Sequence, residues 1–399
     1  MPKNWDIKRI GDICKTNQRT YSLSENWSFV KYLDTGNLTE NRIDEIQHIV
    51  VGKDALPSRA RRKVALDEIL YSTVRPNQRH YGIVKEVLPN MLVSTGFAVI
   101  TVDKTQADAD FLYYYLSQNG IVDTLHAIGE QSVSAYPSIK PSDIEGLELD
   151  LPSLGEQIEI GRTLRALDDK ITNNSMINHH LEQMAQAIFK SWFVNFEPTF
   201  TKLGNVIIAA NTGGDAIRKT PIVDFDTGIR CVRVGDMSNK NEPSSWGFCR
   251  VSKEDFKKHQ LKKGDIVVTR TASLGLNTII WEDLSAVYNN GLIRLKPNKD
   301  CVSPLFLYLT LQQKEYFDYI NRITGETSVR PNMKIDYLLN YEFNCPPVDL
   351  QNKLVDTIQS FFDRIRCNVA ENLHLVTMRD TLLPRLMSGE LSVADLSAK

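Results

Sequence analysis

The stretch VRPNQR at residues 74–79 puts four side chains with forked or paired hydrogen-bonding groups into one turn: Arg75, Asn77, Gln78 and Arg79. A guanidinium matches the O6/N7 edge of guanine, and a carboxamide matches the N6/N7 edge of adenine. This composition therefore suits the reading of base edges in a major groove. A second turn carries Arg270, Thr271, Ser273 and Asn277. Plain positive charge, which suits phosphates, precedes each turn. It comes from Arg59, Arg61, Arg62 and Lys63 in one place, and from Lys257, Lys258, Lys262 and Lys263 in the other. The formal net charge is −2, but residues 1–150 hold 17 basic and 20 acidic side chains while residues 199–345 hold 20 and 16. A nucleic-acid binder need be basic on one face only, so the total excludes little.

Catalytic chemistry is hard to find. A DNA methyltransferase needs an Asn/Asp-Pro-Pro-aromatic loop to hold a flipped amine. The nearest match, Cys345-Pro346-Pro347-Val348, lacks both the amide or acid and the aromatic ring. There is no phosphate-cradling G-x-x-x-x-G-K-[ST] loop and no Asp…Glu-x-Lys nuclease arrangement. The six cysteines are scattered without a C-x-x-C pair, which argues against zinc and against a disulfide framework. His179 and His180 are adjacent and so point to different faces of a helix, which makes a shared metal a poor reading. Tyr113, Tyr114 and Tyr115 read as a helix packing its aromatic face into its own domain. The residues point to binding, with no cofactor and no metal in this chain.

The elements that position the two turns occur twice. LDEILYSTVRP at 66–76 and LKKGDIVVTRTASLG at 261–275 both read as an acid–Ile step, a buried strand and then the turn. A further strand follows each (94–103, 289–298), then a short aromatic helix (FLYYYLSQ at 111–118, FLYLTLQQ at 306–313). Next come the segments 128–140 and 323–334, which share Gly, Ser-Val and Pro. Each half then enters a long helix. From Ile160, alternating steps of four and three give Leu164, Leu167, Ile171, Asn174, Asn178, Leu181, Ala185, Ile188 and Trp192. That is a coiled-coil seam. An offset of 194 residues lands on Leu354, Ile358, Phe361, Ile365, Asn368, Asn372, Leu375, Arg379, Leu382 and Leu386. Both asparagines recur. If the helices lie antiparallel, Asn174 and Asn178 fall opposite Asn368 and Asn372 and fix the register, because a seam amide penalises pairings that leave it unbonded.

The predicted architecture is α+β. It has two similar strand-rich domains (1–150 and 199–345) separated by two long helices (151–198 and 346–389) in an antiparallel coiled coil. A pseudo-two-fold internal repeat and a short tail (390–399) complete it. No apolar run is long enough to span a bilayer, and the N-terminus lacks the apolar core of a secretory signal.

The ordered duplication, the G-E-x-S-V and G-E-T-S-V segments, and the lead-ins LPSLGEQI (151–158) and CPPVDLQNKL (345–354) together resemble the specificity (S) subunit of type I restriction-modification systems. The second lead-in departs from the pattern, with Asp349-Leu350-Gln351 where the first has Gly155-Glu156-Gln157. The resemblance implies a non-catalytic subunit that binds double-stranded DNA in a prokaryotic cytoplasm. The two strand-rich domains would be target-recognition domains, each reading one half of a bipartite, asymmetric target. The helices would set the spacer and dock two methyltransferase (M) subunits, with restriction (R) subunits added in the full complex. S-adenosylmethionine would belong to the partner M subunit. A rod of about 33 residues at 1.5 Å per residue spans about 50 Å, enough to separate readers by a helical turn of DNA. Two rival readings remain: a fused or stand-alone DNA methyltransferase, and a coiled-coil scaffold for proteins.

Overall fold

The computed structural model describes residues 5–132, 136–192, 197–213, 222–325 and 332–397. Two compact units emerge, Met1–Met176 with Asn368–Lys399, and Ile177–Cys367. Each long helix is thus shared between units, because each end buries its apolar seam against the core of the nearer domain. Among the described residues no helix is long and apolar enough to cross a membrane.

In the first unit, alternating and continuous apolar runs form two four-stranded sheets. One has the order β1 (Cys14–Thr16), β8 (Phe97–Val102), β5 (Ile69–Ser72), β6 (Tyr81–Ile83), all antiparallel. The other has the order β3 (Gln47–Val50), β2 (Phe29–Leu33), β7 (Met91–Ser94), β4 (Ala60–Lys63), with β2 and β7 parallel. The aromatic helix α1 (Ala109–Ser117) and α2 (Asn119–Glu130) pack into the same core as β5 and β8. The second unit repeats the first sheet strand for strand: β9 (Ile207–Thr212), β16 (Leu292–Pro297), β13 (Ile266–Thr269), β14 (Asn277–Ile279). Its other sheet has the order β10 (Ile222–Val223), β12 (Gly247–Cys249), β11 (Arg230–Val232), β15 (Ala286–Tyr288), again with one parallel pair, β11 and β15. Helices α4 (Pro304–Thr310) and α5 (Lys314–Gly325) follow. A two-stranded ribbon closes each domain, Asp6–Arg9 with Glu148–Leu151 and Phe200–Lys202 with Glu342–Asn344.

The repeated acid–Ile step has a structural reason. Glu68, 3% exposed, accepts from the backbone of Ala65 at 2.7 Å; Asp265, also 3% exposed, accepts from that of Lys262 at 3.0 Å. In both copies the carboxylate folds back over three residues and satisfies the turn that launches the central strand. A second duplicated device fastens the long helices α3 (Leu154–Trp192) and α6 (Val348–Met387) to their domains. Gln157 and Gln351 are fully buried. Gln157 Oε1 accepts the N–H of Asp108 at 2.9 Å, and Gln351 Oε1 accepts that of Ser303 at 2.9 Å. Both acceptors thus take the N-cap N–H of the aromatic helix. Each amide nitrogen donates back to the proline carbonyl at its own helix start, Pro152 at 2.9 Å and Pro346 at 2.7 Å.

In the first unit α3 and α6 run antiparallel. Asp168 meets Arg379 at 2.8 Å, Lys170 meets Glu371 at 3.3 Å, and Asn174 Nδ2 donates to Asn372 Oδ1 at 2.9 Å and to Glu371 at 2.8 Å. Ile160 and Leu164 share the domain core with Leu386 and Met387. In the second unit Ala185 and Phe189 share a core with Leu354, Ile358 and Phe362. Asn174 and Asn368 are buried, and Asn178 and Asn372 are half-buried.

Candidate nucleic-acid interface

The two turns singled out by composition leave equivalent strands and make equivalent bonds. Thr73 donates its N–H to Gly96 and Arg270 donates to Gly291; Ile139 donates to the carbonyl of Thr73 and Met333 to that of Arg270. Val74 bridges Ser138 and Thr271 bridges Asn332. The next residue takes a left-handed conformation in both, Arg75 at φ 49° and Ala272 at φ 59°. This frame places Arg75 opposite Ala272, and Arg270 opposite Thr73. A non-glycine residue held left-handed costs about 1–3 kcal/mol, and such strain gathers where a loop must present its side chains. The described ends of segments 128–140 and 323–334 therefore run beside the turns; residues 133–135 and 326–331 lie outside the described residues.

In the first domain Arg75, Asn77 and Gln78 are exposed, the last two on a single 3-10 turn spanning Pro76–Gln78. The Arg75 guanidinium lies over the Tyr136 ring at 4.9 Å, and Tyr136 is 56% exposed. Arg79 has a different position. It donates to Asn119 Oδ1 at 2.6 Å and to Tyr81 Oη at 3.3 Å, and it lies 3.4 Å from Glu40. Its fork is occupied within the domain. In the second domain Arg270 donates to the carbonyls of Met333 at 3.2 Å and Asn290 at 3.4 Å. Asn277 donates to Leu311 at 2.8 Å and accepts from Gln312 at 2.7 Å. Ser273 is exposed, Thr271 half-buried. The first turn thus presents a charged fork and two amides, while the second presents small neutral groups.

The basic clusters are not equivalents of each other. Arg61, Arg62 and Lys63 lie on β4, an edge strand with no counterpart among the described residues of the second domain, and Arg59 precedes it, exposed. Lys63 is paired with Glu25 and sits over Trp27 at 5.3 Å. Burial holds the Arg62 guanidinium below its usual range, and its Nε has no partner among the described residues. A partly buried cation without a carboxylate is suited to an incoming anion. Lys257 and Lys258 are exposed on the helix Lys253–His259, and Lys262 and Lys263 are exposed in the turn before β13. Composition did not point to Tyr136. The signal was the segment shared between halves, whose pairing with the turn only the topology reveals. Among the described residues no cluster of histidine, cysteine or carboxylate side chains could hold a metal.

Two stretches of the chain, residues 2–183 and 199–375, match the family described as type I restriction modification DNA specificity domain. The chain is similar to the type I restriction enzyme HindI specificity subunit of Haemophilus influenzae, at 26% identity, covering 97% of this chain and 100% of that one. It is also similar to the MjaIX specificity subunit of Methanocaldococcus jannaschii, at 24% identity over 99% of this chain and 95% of the relative. The crystal structure of a type I restriction-modification S subunit from M. genitalium shares the fold, with a TM-score of 0.60 and 16% identity over 96% of each chain.

Proposed function

The chain belongs to the type I restriction modification DNA specificity domain family, and we infer that it is the DNA sequence-specificity subunit of a type I restriction-modification complex. It is a recognition subunit, without a catalytic role of its own. The observation that carries this is the presence of two copies of the family's domain, which together take up most of the chain. Its partners are DNA and the methyltransferase and restriction subunits of such a complex.

The finer assignment follows from the unlike turns. Each domain reads one half of a bipartite target, and the half-sites differ in sequence because the presented side chains differ. Arg75, Asn77 and Gln78 supply base contacts in the first domain, and Thr271 and Ser273 supply them in the second. Arg59, Arg61, Arg62, Lys262 and Lys263 meet phosphates. Arg79, Arg270 and Asn277 support their turns from within. The paired helices set the spacing of the half-sites and dock two M subunits, and the assembly works in the cytoplasm. Support comes from the exposure of Arg75, Asn77 and Gln78, from the strained backbone at the same place in both domains, and from the uncompensated charge of Arg62.

The test is co-expression with a cognate methyltransferase subunit in a methylation-free host, followed by genome-wide mapping of methylated adenines. A split motif with two unlike halves and a fixed gap is expected. Methylation of an uninterrupted or palindromic site would overturn the assignment, as would methyl transfer by this chain alone.

A further inference from the structure

The internal repeat is broken in one layer of the seam. In the first unit Asp168 receives two donors: Tyr114 Oη at 2.6 Å and Arg379 Nη1 at 2.8 Å. The side chains of Asp168 and Arg379 are only 17% and 26% exposed. Arg379 also donates from Nε and Nη2 to Asp380 at 2.9 and 2.8 Å, which holds its fork in place. The offset of 194 converts Asp168 to Phe362 and Arg379 to Ala185, and the aromatic-helix alignment converts Tyr114 to Leu309. All three sit in the core of the second unit, where the Phe362 ring lies 5.4 Å from that of Trp281. A polar triad in one unit is a wholly apolar layer in the other.

We propose that this layer is a pairing code, which makes each half of the chain fit the other half and reject a second copy of itself. A duplicated chain faces that problem by construction. Its two helices share a seam, so either helix could pair with its own kind from another molecule. Consider two first halves paired by the same antiparallel geometry. Asp168 would then face Ala185, leaving a largely buried carboxylate without its cation. In two paired second halves Arg379 would face Phe362 and keep its own Asp380, but it would find a ring where the facing helix should offer a carboxylate. Converting two native pairings into one of each self-pairing therefore loses two charge-assisted pairs and forms none.

The neighbouring ion pair carries no such information. Lys170 meets Glu371, and the equivalent positions hold Arg364 and Ile177. Self-pairing would replace two Lys170–Glu371 contacts by two Arg364–Glu371 contacts, so the count is unchanged. The Asn174–Asn372 layer is likewise preserved, because both asparagines recur in each half. Discrimination falls on the Tyr114–Asp168–Arg379 layer. A charge-assisted pair is worth about tenfold in an equilibrium. Two losses disfavour self-pairing about a hundredfold relative to chance.

The experiment starts from the folded full chain carrying a protease site at exposed Glu197 and Pro198, cut after purification. Nicked protein with natural isotopes is mixed with nicked protein made heavy. The mixture is warmed until light–heavy hybrids of first half with second half show that halves exchange, and all assemblies are then counted by native mass spectrometry. Self-paired assemblies are expected to make up about a tenth of the total, against half for random pairing. A variant that copies the second unit's layer, Tyr114→Leu with Asp168→Phe and Arg379→Ala, should approach half. Asp168→Asn alone, which keeps the shape and removes the charge, should raise self-pairing several-fold and decides the matter if the triple variant does not fold. Random pairing in the unaltered protein would overturn the proposal, as would unchanged pairing in Asp168→Asn. The readout is assembly alone, so neither result bears on which DNA is read.

Discussion

Replacing Gln157 by leucine removes a buried amide at nearly constant volume and tests how the long helix is held to its domain. The substitution deletes the bonds to Asp108 N–H at 2.9 Å and to Pro152 O at 2.9 Å, with a weaker third to Gln106 O at 3.3 Å. Each good bond is worth about 1 kcal/mol net, and each partner stranded in a buried site adds about 1 kcal/mol or more. With two good bonds and two stranded partners the cost is about 4 kcal/mol. The second copy makes the same forecast for Gln351→Leu, whose partners are Ser303 N–H at 2.9 Å and Pro346 O at 2.7 Å. The assay is native-state hydrogen exchange read by mass spectrometry on peptides from the starts of α3 and α6. It is preferred to a melting curve because two units need not unfold together. Gln157→Leu should speed exchange at residues 154–164 by about a hundredfold or more and leave residues 348–358 nearly unchanged. Gln351→Leu should do the reverse. An effect below tenfold, or one of equal size at both helix starts, would refute the reasoning that each glutamine clamps its own helix.

Arg75→Ala should relax one base position in one half-site of the methylated motif, at a cost of about 1–3 kcal/mol in discrimination. Arg62→Ala should weaken binding evenly across sequences and flatten the salt dependence by about one charge; binding titrations of the assembled methyltransferase against salt separate the two. Asp67 is subject to burial, which raises its pKa, but hydrogen bonds and charge from Lys104 and Lys85 outweigh that and hold its carboxyl below the usual range. The stabilisation is present above the unfolded carboxyl pKa and disappears as pH falls through the folded one. Asp67→Asn should therefore cost about 1 kcal/mol at pH 7 and nothing once the pH has fallen below the folded carboxyl's own pKa, as read by denaturant titration at each pH. The substitution leaves the left-handed backbone there (φ 65°) undisturbed, since asparagine tolerates it. Burial, followed by the charge of Glu145, pushes the Cys14 thiol up to about 12. Iodoacetamide should label the exposed Cys301 and Cys367 first and Cys14 last in timed peptide mapping. Early labelling of Cys14 would mean the first core is open.

The duplication was the most legible feature of the chain. Seam residues, helix lead-ins and acid–Ile strands are local patterns, and each recurs at a near-constant offset, so chance agreement is improbable. What could not be read depends on partners distant in sequence. Arg79 and Arg270 have the same side chain as Arg75. Only the folded domain reveals that Asn119 and Tyr81 occupy one fork and backbone carbonyls the other. Arg379 reads as a blemish in an apolar seam until Asp168, 211 residues away, is seen to meet it. Tyr114 packs inside its domain, as its setting among apolar neighbours implies, yet its hydroxyl is spent on that same carboxylate. The edge strand β4, unmatched among the described residues, escaped notice because its basic residues resembled a surface charge run. Propensity describes a segment, whereas these features belong to pairs of segments.

On the proposed function, paired helices set the distance between two unlike readers. Removing Ile171–Ile177 together with Val369–Leu375, the stretch that faces it across the Asn174–Asn372 pair, deletes one heptad from each helix and keeps the seam in frame. The loss of rise is about 10 Å, or about three base pairs of DNA. Mapping of methylated adenines in a host that co-expresses this variant with the methyltransferase should return both original half-sites with the gap between them shortened by about three. The same half-sites at the original gap would contradict the account.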